Sequence, residues 1–162
     1  MLQRGDLIFV RGRTRSPVDD AIMAEEWLLD GRCEYVHVAV YVGESKVQEA
    51  QGFRRSGWAP IGQYDGEYDI GHIRMTKEQR DKFLAALRDE DGLPYDWPGI
   101  FWLAIAALTF GVFARKYNDR KRRYCSKYVG WALAKAGIGV NDETPESLAQ
   151  DPVISMEKVR AM

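Results

Sequence analysis

Residues Tyr35 to Ala50 read YVHVAVYVGESKVQEA, and this stretch decides the fold. Two β-branched runs, YVHVAVYVG and KVQEA, are separated by Gly43, Glu44 and Ser45, which is the pattern of an antiparallel hairpin with a short loop. Strand alternation places Val36, Val38, Val40 and Val42 on one face and Tyr35, His37, Ala39 and Tyr41 on the other. A histidine on an otherwise apolar strand costs free energy unless it is paired. Gly43 lies six positions after His37 and Glu49 six after Gly43, so a turn centred there returns Glu49 to the neighbourhood of His37. A carboxylate on one imidazole nitrogen leaves the other free to act as a base. Taken singly, His37 reads better as a satisfied core or rim histidine and Glu49 as an ordinary solvated strand residue.

Outward from the hairpin, DLIFV (Asp6 to Val10) reads as a buried strand after a turn at Gly5. SPVDDAIMAEEWLLDG offers Ser16 as N-cap, Pro17 at the first helical position and Gly31 as a stop, giving a helix from Val18 to Asp30. Gln51 to Tyr68 mixes Gly, Pro, Ser and aromatics without a period and reads as a long loop. YDIGHIRM alternates as a strand and carries His72 on a mixed face, a rim or solvent position with little catalytic promise. TKEQRDKFLAALRDEDG follows as a helix, with Thr76 and Gln79 forming a capping box. TPESLAQ and SMEKVRAM, near the end, read as short helical pieces.

The last helix of substance begins in RKRRYCSKYVGWALAKAG, Arg120 to Gly137, where Tyr128, Val129, Ala132, Leu133 and Ala136 recur at helical spacing and Gly137 ends the run. Cys125 at its start is open to two readings. Free cysteines often serve as small apolar fillers. Against that, a helix N-terminus and the nearby Arg122, Arg123 and Lys127 favour an ionised sulfur, and the Cys125 backbone N–H could donate to a developing oxyanion, with Tyr124 as the second candidate for that role. Cys33, between a helix stop and a strand, lacks this setting.

With 162 residues and 46% apolar content, the chain suits one domain, residues 1–162. Its 23 basic and 24 acidic residues nearly cancel, which argues against nucleic acid as the main partner. Two cysteines make no disulfide framework, and the N-terminus shows no export signal, so free thiols and a cytoplasmic location are expected.

GDLIFV (Gly5 to Val10), HVAVYVGESKVQEA (His37 to Ala50) and YCSKYVGWAL (Tyr124 to Leu133), in that order, resemble the circularly permuted NlpC-like papain-fold enzymes, in particular the YiiX-like group. The resemblance implies an α+β domain in which an antiparallel sheet or partial barrel packs on the helix that carries the cysteine. It also implies a Cys125, His37 and Glu49 triad that hydrolyses an amide or peptide bond, of the cell-wall type among others, through a thioester, with no cofactor and no metal. The related lecithin:retinol acyltransferase-like group acts on lipids and usually has His as its third residue, so Glu49 favours amide hydrolysis over acyl transfer on lipids. A non-catalytic binding domain on the same fold is the third reading.

The uncharged run GIFWLAIAALTFGVFA, Gly99 to Ala114, has no counterpart in that resemblance. It is a little shorter than the roughly 20 residues of a membrane span, and a span here would put Cys125 and His37 on opposite sides of the bilayer. A buried or groove-lining helical insertion ranks first, and contact with a membrane surface or lipid second.

Overall fold

The computed structural model describes residues 2–11, 34–50, 56–64, 66–89, 92, 125–142 and 144–159. The helix expected over Val18 to Asp30, the apolar run Gly99 to Ala114, the basic run before Cys125, and both Cys33 and Tyr124 lie outside these residues. Six strands form one sheet: β1 (Leu7–Arg11), β2 (Tyr35–Gly43), β3 (Lys46–Glu49), β4 (Gly57–Pro60), β5 (Tyr68–Ile73) and β6 (Ile154–Glu157). Their order across the sheet is β4-β3-β2-β1-β5-β6, and every neighbouring pair is antiparallel. Among the described residues three helices accompany it: α1 (Lys77–Asp89), α2 (Cys125–Lys135) and the short α3 (Pro145–Ala149). The architecture is therefore α+β with an antiparallel sheet.

β1 is apolar along its length because both of its faces are covered. Leu7 and Phe9 join Val38 and Val40 of β2, Phe83 and Leu87 of α1, and Tyr128, Val129 and Leu133 of α2 in the larger core. Ile8 and Val10 turn the other way, toward Ala39, Val47, Ala59, Tyr64 and Ile70. Gly71 on β5 makes room for the Phe9 ring, since a Cβ there would come within 2.6 Å of Phe9 Cε2.

The helix ends follow the expected chemistry. Gln79 N–H donates to Thr76 Oγ1 at 3.2 Å and Thr76 N–H donates to Gln79 Oε1 at 3.0 Å, the reciprocal capping box at the start of α1. At the end of α2, Gly137 takes φ +76°, Ile138 N–H reaches Leu133 O and Gly137 N–H reaches Ala134 O, so the orphan carbonyls of the last turn are met.

Two expectations fail. The loop foreseen over Gln51 to Tyr68 contains β4, a 3-10 turn (Ile61–Tyr64) and the first residue of β5. β4 is only GWAP, bounded by Gly and Pro, and pairing with β3 rather than any internal pattern makes it a strand. The helical piece foreseen in SMEKVRAM is instead β6, because Ile154 to Glu157 pair with β5 and tertiary pairing overrides local preference.

The hairpin turn is tighter than foreseen. Gly43 pairs with Lys46, leaving only Glu44 and Ser45 in the loop, at φ +51° and +56°. Positive φ at both loop residues is what a two-residue turn between right-twisted strands demands.

A buried carboxylate ties the C-terminal tail to the sheet. Asp69 of β5 has no solvent exposure and accepts from Arg11, from Tyr35 Oη at 2.8 Å and from Val159 N–H at 2.7 Å. Burial would raise this carboxyl, but Arg11, Tyr35 and Val159 hold it below its ordinary value.

Gly130, in the middle of α2, faces Asp142, whose carboxylate also takes Lys127 Nζ at 2.8 Å; a Cβ on Gly130 would lie 2.2 Å from Asp142 Oδ2. Helix propensity alone would make Gly130→Ala stabilising by about 1 kcal/mol. The clash reverses the sign, and urea denaturation should show a loss of roughly 1–3 kcal/mol, the usual cost of overpacking. Adding Asp142→Ala should recover most of that loss.

Candidate functional site

Three segments converge on His37. It lies on β2, 7% exposed, opposite Val10 of β1. β3 runs antiparallel with Val40 opposite Gln48, so Glu49 falls opposite Ala39, and His37 is its diagonal neighbour on the same face. The side chains close that diagonal: His37 Nε2 is 2.8 Å from Glu49 Oε2. The contact is thus one rung away from the direct pairing that a turn centred on Gly43 would give.

Glu49 is 2% exposed, and its carboxylate is met from several directions. Tyr64 Oη donates to Oε2 alongside His37, and Gln63 Nε2 donates to Oε1 at 3.2 Å. Both come from the 3-10 turn that follows β4. The Tyr64 ring also stands 6.0 Å, centroid to centroid, from the His37 ring. Neither residue was visible as a site residue in the sequence, because IGQYD has no period, and only the β3–β4 pairing carries it under Glu49.

Cys125 is the first residue of α2 and has no solvent exposure. It acts on the His37 imidazole as a hydrogen-bonding and charge partner. With Nε2 engaged by Glu49, Nδ1 is the nitrogen left for the sulfur. One turn further along, Tyr128 fixes the helix. Its Oη donates to Leu87 O of α1 at 2.6 Å and accepts from Gln48 Nε2 of β3 at 3.3 Å, so the strand residue next to Glu49 is tied to the helix that begins with Cys125.

The electrostatics follow from this enclosure. Burial alone would push the His37 imidazole down, but Cys125 first and Glu49 second outweigh it and hold the ring up, at about 10. Burial would raise Glu49, and the imidazole, Tyr64 and Gln63 together hold it down at about 2. The pair is therefore an imidazolium and a carboxylate across the neutral pH range.

His72 stays apart from this cluster. Tyr68 lies at the level of His37 across β1, and His72 is four residues further along β5. Its Nδ1 is 3.2 Å from Asp6 Oδ2 and its Nε2 is 2.8 Å from Glu157 Oε2, on a partly exposed rim. No helix among the described residues is long and apolar enough to cross a membrane.

No family model matches the chain, and no curated protein matches it. Among solved structures it is similar to yiiX of Escherichia coli O157:H7, described as a metalloprotein and as DUF1105, with a TM-score of 0.71 and 18% sequence identity over 98% of this chain and 97% of that one. At that identity the likeness establishes a shared fold. Among the described residues of this chain, no group of three or more His, Cys, Asp and Glu side chains is gathered to hold a metal ion.

The titration of His37 has a definite sign. Held above its ordinary 6.5, it contributes stability fully below about 6.5, and that contribution is lost as pH rises through about 10. Glu49, held below its ordinary 4.5, contributes above 4.5 and loses that contribution as pH falls toward about 2. Nitrogen NMR at pH 8 should show both ring nitrogens of His37 protonated, and Glu49→Gln should move its midpoint down. A neutral His37 ring at pH 8 would contradict the pairing described.

Proposed function

We propose that the protein is a cysteine hydrolase of amide or peptide bonds, built on a circularly permuted, NlpC-like papain-type scaffold. The observation that carries this reading is the buried His37–Glu49 pair set against the cysteine that begins α2. Further support comes from chain order, with the histidine strand first, the carboxylate strand next and the cysteine helix late, and from the fold shared with yiiX. The metalloprotein description of that neighbour is not carried over. The described residues do not form a ligand set, and Nε2 of His37 is already taken by Glu49.

In this mechanism His37, as the imidazolium, already carries the proton that the Cys125 sulfur gives up, and the sulfur attacks the carbonyl carbon of the scissile bond. The carbonyl electron pair moves onto oxygen, where the Cys125 backbone N–H at the helix start can donate to it. As the tetrahedral species collapses, the C–N bond breaks and His37 passes its proton to the departing amine, leaving a thioester. Water then gives a proton to His37 and attacks the thioester, the C–S bond breaks as the acid leaves, and the sulfur and the imidazolium are restored. Glu49 acts through His37 by holding the ring orientation and stabilising the imidazolium. Tyr64 and Gln63 position Glu49 in turn.

Cys125 has no exposed surface, so a carbonyl reaches the sulfur only if the covering chain shifts. The lipid alternative comes from the resemblance to the lecithin:retinol acyltransferase-like group; the run Gly99 to Ala114, which would contact lipid in that reading, lies outside the described residues, and nothing in the described site favours a lipid over a peptide.

Turnover of a panel of cell-wall peptides and acyl lipids tests the reading. Cys125→Ala and His37→Ala should each lower kcat/KM by about 10³-fold or more, and Glu49→Gln by roughly 10²-fold, the range of general acid–base contributions. Hydrolysis by Cys125→Ala at the wild-type rate would sink the proposal. Cleavage of lipid esters with peptides untouched would replace it with the lipid reading.

A further inference from the structure

On the helix-covered side of the sheet, a groove of about 240 Å³ opens between α1 and the β3–β4 edge. Its floor is apolar, made by Val42, Leu84 and Leu87, and Trp58 of β4 forms one wall with 65% of its surface exposed. Arg4, Lys46 and Arg88 stand around this floor. Arg4 and Arg88 are exposed, and neither guanidinium has an ion-pair partner among the described residues. Lys46 is only partly engaged, with Glu44 at 3.3 Å and its Nζ 5.5 Å from the centre of the Trp58 ring.

Arg4 is set by the hairpin itself. Its side chain lies across Gly43, which holds φ +99°, and a Cβ there would come within 3.3 Å of Arg4 Cγ. The tight turn of β2 and β3 thus presents the arginine to the groove. Gln48 lines the same groove and donates to Tyr128, so whatever occupies the groove lies against β3, which carries Glu49, and is one hydrogen bond removed from the helix that begins with Cys125.

We propose that this groove is a binding subsite for a peptide segment in which a carboxylate neighbours an apolar side chain. Three cations around an apolar floor are complementary to that combination, and the volume suits one or two side chains. A membrane surface fits less well. Apart from Trp58, Val153 is the sole large apolar side chain exposed among the described residues, and the groove is concave rather than a broad apolar face. That the bound peptide is also the substrate rests on the hydrolase reading above, whereas the binding does not.

Binding is measured on the Cys125→Ala protein with a fluorescein-labelled, C-terminally amidated peptide of sequence Ala-Leu-Glu-Ala-Leu-Ala and its Gln counterpart. The Glu peptide should bind about tenfold more tightly at low salt, as a charge-assisted contact would give, with the gap narrowing as salt rises. Arg4→Gln with Arg88→Gln should abolish the gap. Arg88→Glu should favour a Lys counterpart, which a merely misfolded variant would not do. Equal affinity for the Glu and Gln peptides, absence of binding, or a preference that survives the double substitution would overturn the proposal. So would sedimentation with phosphatidylglycerol vesicles that depends on Trp58 and is not competed by the Glu peptide. A peptide that binds as expected yet is left uncut by wild type would count against the hydrolase reading and leave the subsite standing.

Discussion

A carboxylate sealed among apolar strands has to be met by donors, and the way Glu49 is met organises the surrounding structure. An unpaired buried charge would cost several kcal/mol, so the sheet can close over Glu49 only when His37, Tyr64 and Gln63 all arrive. These donors come from β2 and from the turn after β4, so satisfying one side chain fixes the hairpin register, the course of the chain after β4 and the orientation of an imidazole ring together. Burial raises the cost of error here, and the same burial lets the imidazolium form dominate once the partners are in place.

Asp69 repeats this logic on the other side of β1. It too is sealed, and Arg11, Tyr35 and the Val159 N–H meet it from β1, β2 and the C-terminal tail. Tyr35 lies two residues before His37 on the same strand, and burial together with this neighbourhood pushes its phenol up to about 12. β2 is therefore held at its start by the Asp69 network and at its middle by Glu49. The helix that begins with Cys125 is registered separately, through the Tyr128 bonds to Leu87 and Gln48. Rigid supports thus reach each of the three key side chains through a different element, which is the arrangement that precise geometry requires.

Much of this was legible in the chain because it is local. The hairpin from Tyr35 to Glu49, the capping box of Thr76 and Gln79, and the start of a helix at Cys125 ending at Gly137 all rest on short-range preferences, and all are present. The proximity of His37 and Glu49 followed from counting residues about a turn, although the diagonal pairing did not, since a two-residue loop and a three-residue loop look alike in GES. What stayed hidden depends on partners remote in sequence. β4 and β6 are strands because β3 and β5 offer them hydrogen bonds, and Tyr64 and Gln63 join the site because β4 turns back beneath Glu49. Gly130 reads as a helix weakness until Asp142 is seen resting where a methyl would be.

The separation of the hairpin from α2 along the chain has a consequence for synthesis. His37 and Glu49 leave the ribosome together, and their contacts are local, so the hairpin belongs to the early-forming part of the domain. Cys125 is translated 88 positions after His37. During that interval the nascent chain holds the His37–Glu49 pair without Cys125. A fragment stalled or cut before α2 consequently carries the His37–Glu49 pair but not the sulfur that is set against it.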